Sequence, residues 1–163
     1  MLQKVAFLAV LAGGAVLLGC SHDAQQASGS AYLPTSFGFH YLDEGDSAKL
    51  AYGEANSDNV GLMLQCAKGS RLVEVSDAVR SAPDSRLTLK SGDSRSEVKV
   101  EIMPGPVAAV AVGQAPVAAP ALASFRRSGT MQVSYAGLTY AMAAKDREKP
   151  ALERFFSACE ARA

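Results

Sequence analysis

Three cysteines and two histidines are the residues of this chain best suited to thiol or soft-metal chemistry: Cys20, Cys66, Cys159, His22 and His40. No two of them stand at the short spacing of a zinc site, so neither a metal nor another cofactor is expected. A serine or cysteine nucleophile needs a base beside it. Only His40 lies in a patterned segment, between Phe39 and Tyr41, while His22 falls in a polar run that cannot hold it rigidly. Alternation puts His40 on a strand face with Gly38 and Leu42, which reads as a half-exposed strand histidine. No G-x-S-x-G occurs, and no Gly-rich loop precedes a helix to cradle phosphate. Two acidic stretches around glycine, Asp43–Ser47 and Ser91–Glu97, hold too few oxygen ligands at fixed offsets for calcium and sit where turns are expected. Arg126 and Arg127 stand side by side in "FRRSG". On a strand they face opposite sides, so they read as surface charge at a strand end, with contact to an anionic partner or lipid headgroup as the functional reading.

The elements that must position these groups are mostly strands. "FGFHYL", "SAKLAYG", "VGLMLQC" and "RLVEVSD" alternate apolar and polar residues between turn formers. "RLTLK" and "SEVKVEI" flank "SGDSR", with Leu87, Leu89, Val98, Val100 and Ile102 on the dry face of a hairpin. A low-complexity stretch, residues 103–120, allows a strand over Val107–Val112, and its prolines argue against a central strand beyond that point. "ALASFRRSG" then leads into a last hairpin, "TMQVSY"–"AG"–"LTYAMAA". A helix from Pro150 to Ala161 closes the chain, with Pro150 in the first turn where its missing N–H costs nothing. The expected fold is mainly β: an antiparallel sandwich or small barrel with one C-terminal α-helix, as a single domain over residues 36–163.

The N-terminus carries a different pattern. Lys4 precedes fourteen residues without a charge, "VAFLAVLAGGAVLL", and the polar string "SHDAQQASGS" follows Gly19 and Cys20. A charged start, a short apolar centre and small residues before a cut describe a secretory signal over residues 1–19. The run is too short for a membrane-spanning helix and contains Gly13 and Gly14. Its end, "LLGC", resembles the lipobox of bacterial lipoproteins, with Leu17, Gly19 and Cys20 in place and Leu18 where that family usually has a smaller residue. The resemblance covers residues 1–20 and says nothing of the domain behind them. It implies that the Cys20 thiol receives diacylglycerol, that the signal is cut before Cys20, and that the new amino group is acylated. Such chains anchor a domain to a bilayer because each buried methylene contributes about 0.8 kcal/mol. Residues 20–35 then serve as lipidated cysteine and tether. Ser21 after the cysteine implies, by that family's sorting rule, the outer membrane facing the periplasm.

An odd cysteine count in a secreted protein flags a free thiol. If Cys20 carries lipid, one pair remains. Val60, Leu62, Leu64 and Cys66 share a strand face, and Leu152, Phe155, Phe156 and Cys159 share a helix face, so both cysteines point at the core. The alternative is two separate buried thiols. In an oxidising envelope compartment the expected outcome is a Cys66–Cys159 disulfide, closing a loop of roughly 90 residues that the chain-entropy model values at about 4–5 kcal/mol.

Charge bounds the partners. The 16 Lys and Arg balance 16 Asp and Glu, and removal of residues 1–19 takes only Lys4. A near-neutral chain lacks the basic excess that nucleic acid requires, so no nucleic-acid partner is expected. The reading is a lipid-anchored envelope protein, attached to the membrane through Cys20, whose domain binds or supports another envelope protein without catalysis. Two alternatives stand beside it. One is inhibition of an envelope-directed hydrolase: lipid-anchored lysozyme inhibitors are similar in being small, β-rich and disulfide-bonded, although Ser128-Gly129 lacks the tyrosine that follows their Ser-Gly motif. The other is an envelope hydrolase using His40 or a carboxylate pair brought together from distant strands.

Overall fold

Alternating apolar residues between tight turns build one continuous sheet. The computed structural model describes residues 29–30, 33–79, 84–105 and 108–161. Its strands are β1 (Gly29–Ser30), β2 (Gly38–Asp43), β3 (Ser47–Gly53), β4 (Val60–Ala67), β5 (Leu72–Ala78), β6 (Arg86–Ser91), β7 (Ser94–Met103), β8 (Val110–Pro116), β9 (Thr130–Tyr135) and β10 (Leu138–Ala143). Helix α1 (Pro120–Ser128) joins β8 to β9, and a 3₁₀ turn (Asp146–Glu148) leads into α2 (Lys149–Glu160). The strand order is β1-β10-β9-β6-β7-β8-β5-β4-β3-β2. Nine antiparallel strands curl into a nearly closed barrel, as the sequence pattern leads one to expect, and β1 adds a short parallel pair at the β10 edge.

One strand serves both halves of the sheet. Residues Ser94 to Lys99 of β7 pair with β6, and Val100 to Met103 pair with β8. The bend presses β7 backbone onto β8 at Gly113, where a Cβ would lie 2.3 Å from the Lys99 carbonyl oxygen and 2.7 Å from Val98 Cγ1. Only glycine fits there. Gly113 therefore does not end the strand. β8 lies between β5 and β7 up to Gly113, one residue past the expected stop at Val112, and its last residues, Gln114 to Pro116, pair with β5 alone. Proline is tolerated at that last residue because the ladder ends there. Past the bend, Ile102 leaves the dry face expected for it and is 40% exposed, because the end of β7 runs beyond the packed core.

The inward residues of β2 to β10, among them Leu50, Leu62, Leu64, Val73, Val75, Leu87, Leu89 and Val133, form one core with the apolar faces of both helices. α1 packs on β6, β7 and β9, and α2 on β2 and β3. A chain of rings joins them: Phe39 to Phe125 at 5.3 Å between centroids, Phe125 to Phe156 at 6.1 Å, and Phe156 to Phe155 at 5.3 Å. Fully burying each such side chain is worth about 1.5–3 kcal/mol.

"ALASFRRSG", residues 121–129, does lead into the last hairpin, but as helix α1 rather than as a strand end. Pro120 opens the helix, the Ser96 hydroxyl accepts from the Ala121 N–H at 3.1 Å, and Gly129 closes it at φ +72° with its N–H donating to the Phe125 carbonyl. Arg126 and Arg127 lie in its last turn, where cations complement the helix dipole.

The barrel's seam is closed by a side chain. Among the described residues, β2 has no strand on its outer edge. Instead, the buried Glu148 Oε2 accepts from the Phe39 N–H at 3.3 Å and from the Lys145 N–H at 3.1 Å, while Lys145 Nζ donates to the Phe37 carbonyl at 3.2 Å. Gly38 makes room for this carboxylate: a Cβ there would meet Glu148 Oε1 at 2.7 Å. The Tyr52 phenol nearby is pushed above its ordinary pKa, by burial first and then by the Glu148 charge.

Candidate functional site

Cys20 and His22 lie outside the described residues, as does the signal segment. Within the stretch read as tether, Gly29 and Ser30 pair with Leu138 and Thr139, and Leu33 packs against the core, so the chain joins the fold before Ser36. Cys66 on β4 and Cys159 on α2 stand with their sulfurs at bonding distance, 2.02 Å, and Cα atoms 5.7 Å apart. The turn after β4 also caps the helix: Gly69 and Arg71 N–H groups donate to the Ala158 and Cys159 carbonyls at 3.0 and 3.1 Å.

His40 pairs in register with Ala51, and its Nε2 lies 3.3 Å from the Gly53 carbonyl, to which it donates. This hydrogen bond fixes the orientation of the ring on its strand. The acidic stretch at Asp43 is a hairpin turn. Lys68 donates to Asp43 at 2.7 Å, and this bond is the main reason the Asp43 carboxyl is held below its usual range. Among the described residues no cluster of His, Cys, Asp or Glu could hold a metal. Arg126 is taken up by α2: it pairs with Glu153, donates to Glu160 at 2.8 Å, and lies over the Phe156 ring. Its pKa is raised and that of Glu153 lowered, each first by their mutual hydrogen bonds. Arg126 thus clasps the two helices, and the strand-end reading of this arginine is corrected. Ser128 is likewise spent within the fold, its hydroxyl bonding with Ser91 and Thr130.

What the fold does offer is two outer sheet faces of different chemistry. The β5–β8 face with the end of β7 presents Leu72, Val112, Met103 and the acids Glu74 and Glu101. Leu72 and Met103 are 46% and 51% exposed. The β6–β7–β9–β10 face is polar. Thr88 stands opposite both Glu97 and Ser134, and Ser134 shares a 2.8 Å hydrogen bond with Thr139. Around this hydroxyl row the register sets Arg86 directly opposite Lys99 and Lys90 directly opposite Arg95. Glu97 answers two of these cations, at 3.5 Å to Arg86 and 3.1 Å to Arg95. Two shallow depressions open on the same face. One of about 380 Å³ is framed by Arg86, Thr88, Arg95, Glu97, Ser134 and Thr139, and one of about 450 Å³ by Lys90, Gly92, Gln132 and Ala141. Forked guanidinium donors and hydroxyls at a shallow surface suit oxyanions.

This face is hidden in the sequence because "SGDSR" suits a five-residue turn, Ser91 to Arg95. The turn is two residues, Gly92-Asp93, and only that register brings Lys90 against Arg95. Comparison of the chain with protein-family models, with curated proteins and with solved structures found no match.

Proposed function

We propose that the chain is a lipid-anchored bacterial envelope protein, held through Cys20 at the outer membrane and facing the periplasm, whose domain works as a non-catalytic binding module for another envelope protein. The observation that carries this reading is the cysteine accounting. Cys66 and Cys159 stand at bonding distance from each other, which leaves Cys20, at the end of a lipobox-like "LLGC", as the one cysteine outside that pair. A pairing of this kind suits an oxidising compartment. The binding role is supported by the outer faces, which gather recognition chemistry, whereas His40 is engaged with backbone.

Growth with labelled fatty acid tests the anchor. The wild type should take up label and run as a cut form. Cys20→Ser should do neither, and label retained in that variant removes the reading. Crosslinking in cells from photoreactive groups on each outer face then identifies the partner.

A further inference from the structure

The β6–β7–β9 face keeps a pattern that folding alone disfavours. Like charges directly opposite on neighbouring strands destabilise a sheet. Among the described strand pairs this occurs at Arg86–Lys99 and Lys90–Arg95, both on one ladder. Arg86 and Arg95 side chains are 71% and 63% exposed, so they project into solvent, and Lys90 forms no ion pair among the described residues. Of the neighbouring acids, Glu97 is shared between two arginines. Asp84 at one end of the face is engaged by the Ser85 and Arg86 N–H groups, and Asp93 lies in the turn at the other. Lys99, at the bend, borders the second outer face.

The chain also enters the fold beside this face. β1 pairs with β10 at Leu138 and Thr139, next to the Thr139–Ser134–Thr88 row. Eight residues, 21 to 28, lie between Cys20 and Gly29. Whatever path the chain takes, the nine Cα-to-Cα steps reach no more than about 30 Å. An anchor at Cys20 therefore keeps this edge of the barrel close to the bilayer.

We propose that the β6–β7–β9 face rests on the membrane, with Arg86, Lys90 and Arg95 contacting the phosphates of anionic lipid headgroups. The geometry of this contact rests on the anchor reading, and one experiment separates the two. Mature protein is purified from membranes, and its intact mass reports acylation at Cys20. It is then mixed with vesicles of phosphatidylcholine, with or without one-third phosphatidylglycerol, and modification of individual lysines by an amine-reactive reagent is followed by mass spectrometry.

Lys90 should be modified about tenfold more slowly on the anionic vesicles, as expected for a few cations near an anionic surface. Lys149, on α2, should change less than twofold. Arg86→Gln with Arg95→Gln should bring Lys90 protection down to about twofold, and half-molar salt should remove most of it. Equal Lys90 rates on the two vesicles, or equal protection of Lys149, overturns the proposal. So does protection by millimolar glycerol phosphate without vesicles, which assigns the face to a free phosphate ligand. A protein without acyl mass but with Lys90 protected selectively on anionic vesicles overturns the anchor and leaves the face standing.

Discussion

α1 and α2 fill the same barrel but are fastened to it in different ways. α1 lies over β6 and β9, each with a strand on either side, and over β7, whose Ser94–Lys99 half pairs with β6 and whose remainder pairs with β8. It is held by the burial of Ala121, Leu122 and Phe125 and by hydroxyl contacts from Ser96 and Ser91. α2 lies over β2 and β3, at the edge where the sheet runs out of partners. It carries the bond to Cys66, the backbone caps from Gly69 and Arg71, and the Glu148 carboxylate at its start. Inside the strand order, an apolar stripe with a few hydroxyl contacts holds the helix. At an open edge, exposed N–H groups need acceptors and the covering element must not swing away, so side-chain and covalent fasteners take over.

The comparison can be broken most forcefully at the cysteines. Cys66→Ala with Cys159→Ala should lower unfolding free energy by about 3–5 kcal/mol in urea titration. Hydrogen exchange should show α2 amides opening well before those of α1. Simultaneous opening of both helices would mean that α2 needs no special fastening. Phe125→Ala should cost about 3–4 kcal/mol and loosen both helices together, because the ring touches Phe39 and Phe156. Glu148→Ala strips the acceptor from the Phe39 and Lys145 N–H groups, and about 2–3 kcal/mol is expected. Loss of amide protection should centre on β2 and leave β9 intact. A uniform loss across the sheet would argue against a local seam.

The smallest effect belongs to the clasp. Arg126→Met should cost about 1 kcal/mol, the ordinary size for a partly exposed charge network. Its signature is pH dependence. Glu153 has a lowered pKa in the folded protein, so its contribution is present above the ordinary value near 4.5 and is lost as pH falls through the folded value. Wild-type stability should therefore decline more steeply below about pH 4.5 than that of Arg126→Met. Parallel acid limbs would show that Glu153 does not depend on this arginine.

The two helices also differ in how plainly the sequence announces them. α2 shows its stripe, Leu152, Phe155, Phe156 and Cys159, against charged neighbours, and the hairpins show theirs by alternation. α1 is embedded in small apolar residues, so Ala121, Leu122 and Phe125 do not stand out as a face. Its signals were Pro120 and Gly129, the start and stop of a helix, and both also suit a loop. β8 was obscured for a related reason. Gly113 looks like a breaker until the bend of β7 gives it a task. Nothing local marks Glu148, whose partner Phe39 lies 109 residues away. Register carries the rest. The facing cations on β6 and β7 become visible only when the turn length is known.

The side-chain seam has a consequence for how the molecule is made. β2 is made well before Glu148 and Cys159, since Phe39 lies 109 residues ahead of Glu148. Until they arrive, β2 lacks the carboxylate that covers its edge. Completion of the fold is thereby tied to delivery of the segment that carries Glu148 and Cys159, and a chain cut short before residue 148 would leave behind an uncovered edge able to recruit a neighbour's strand.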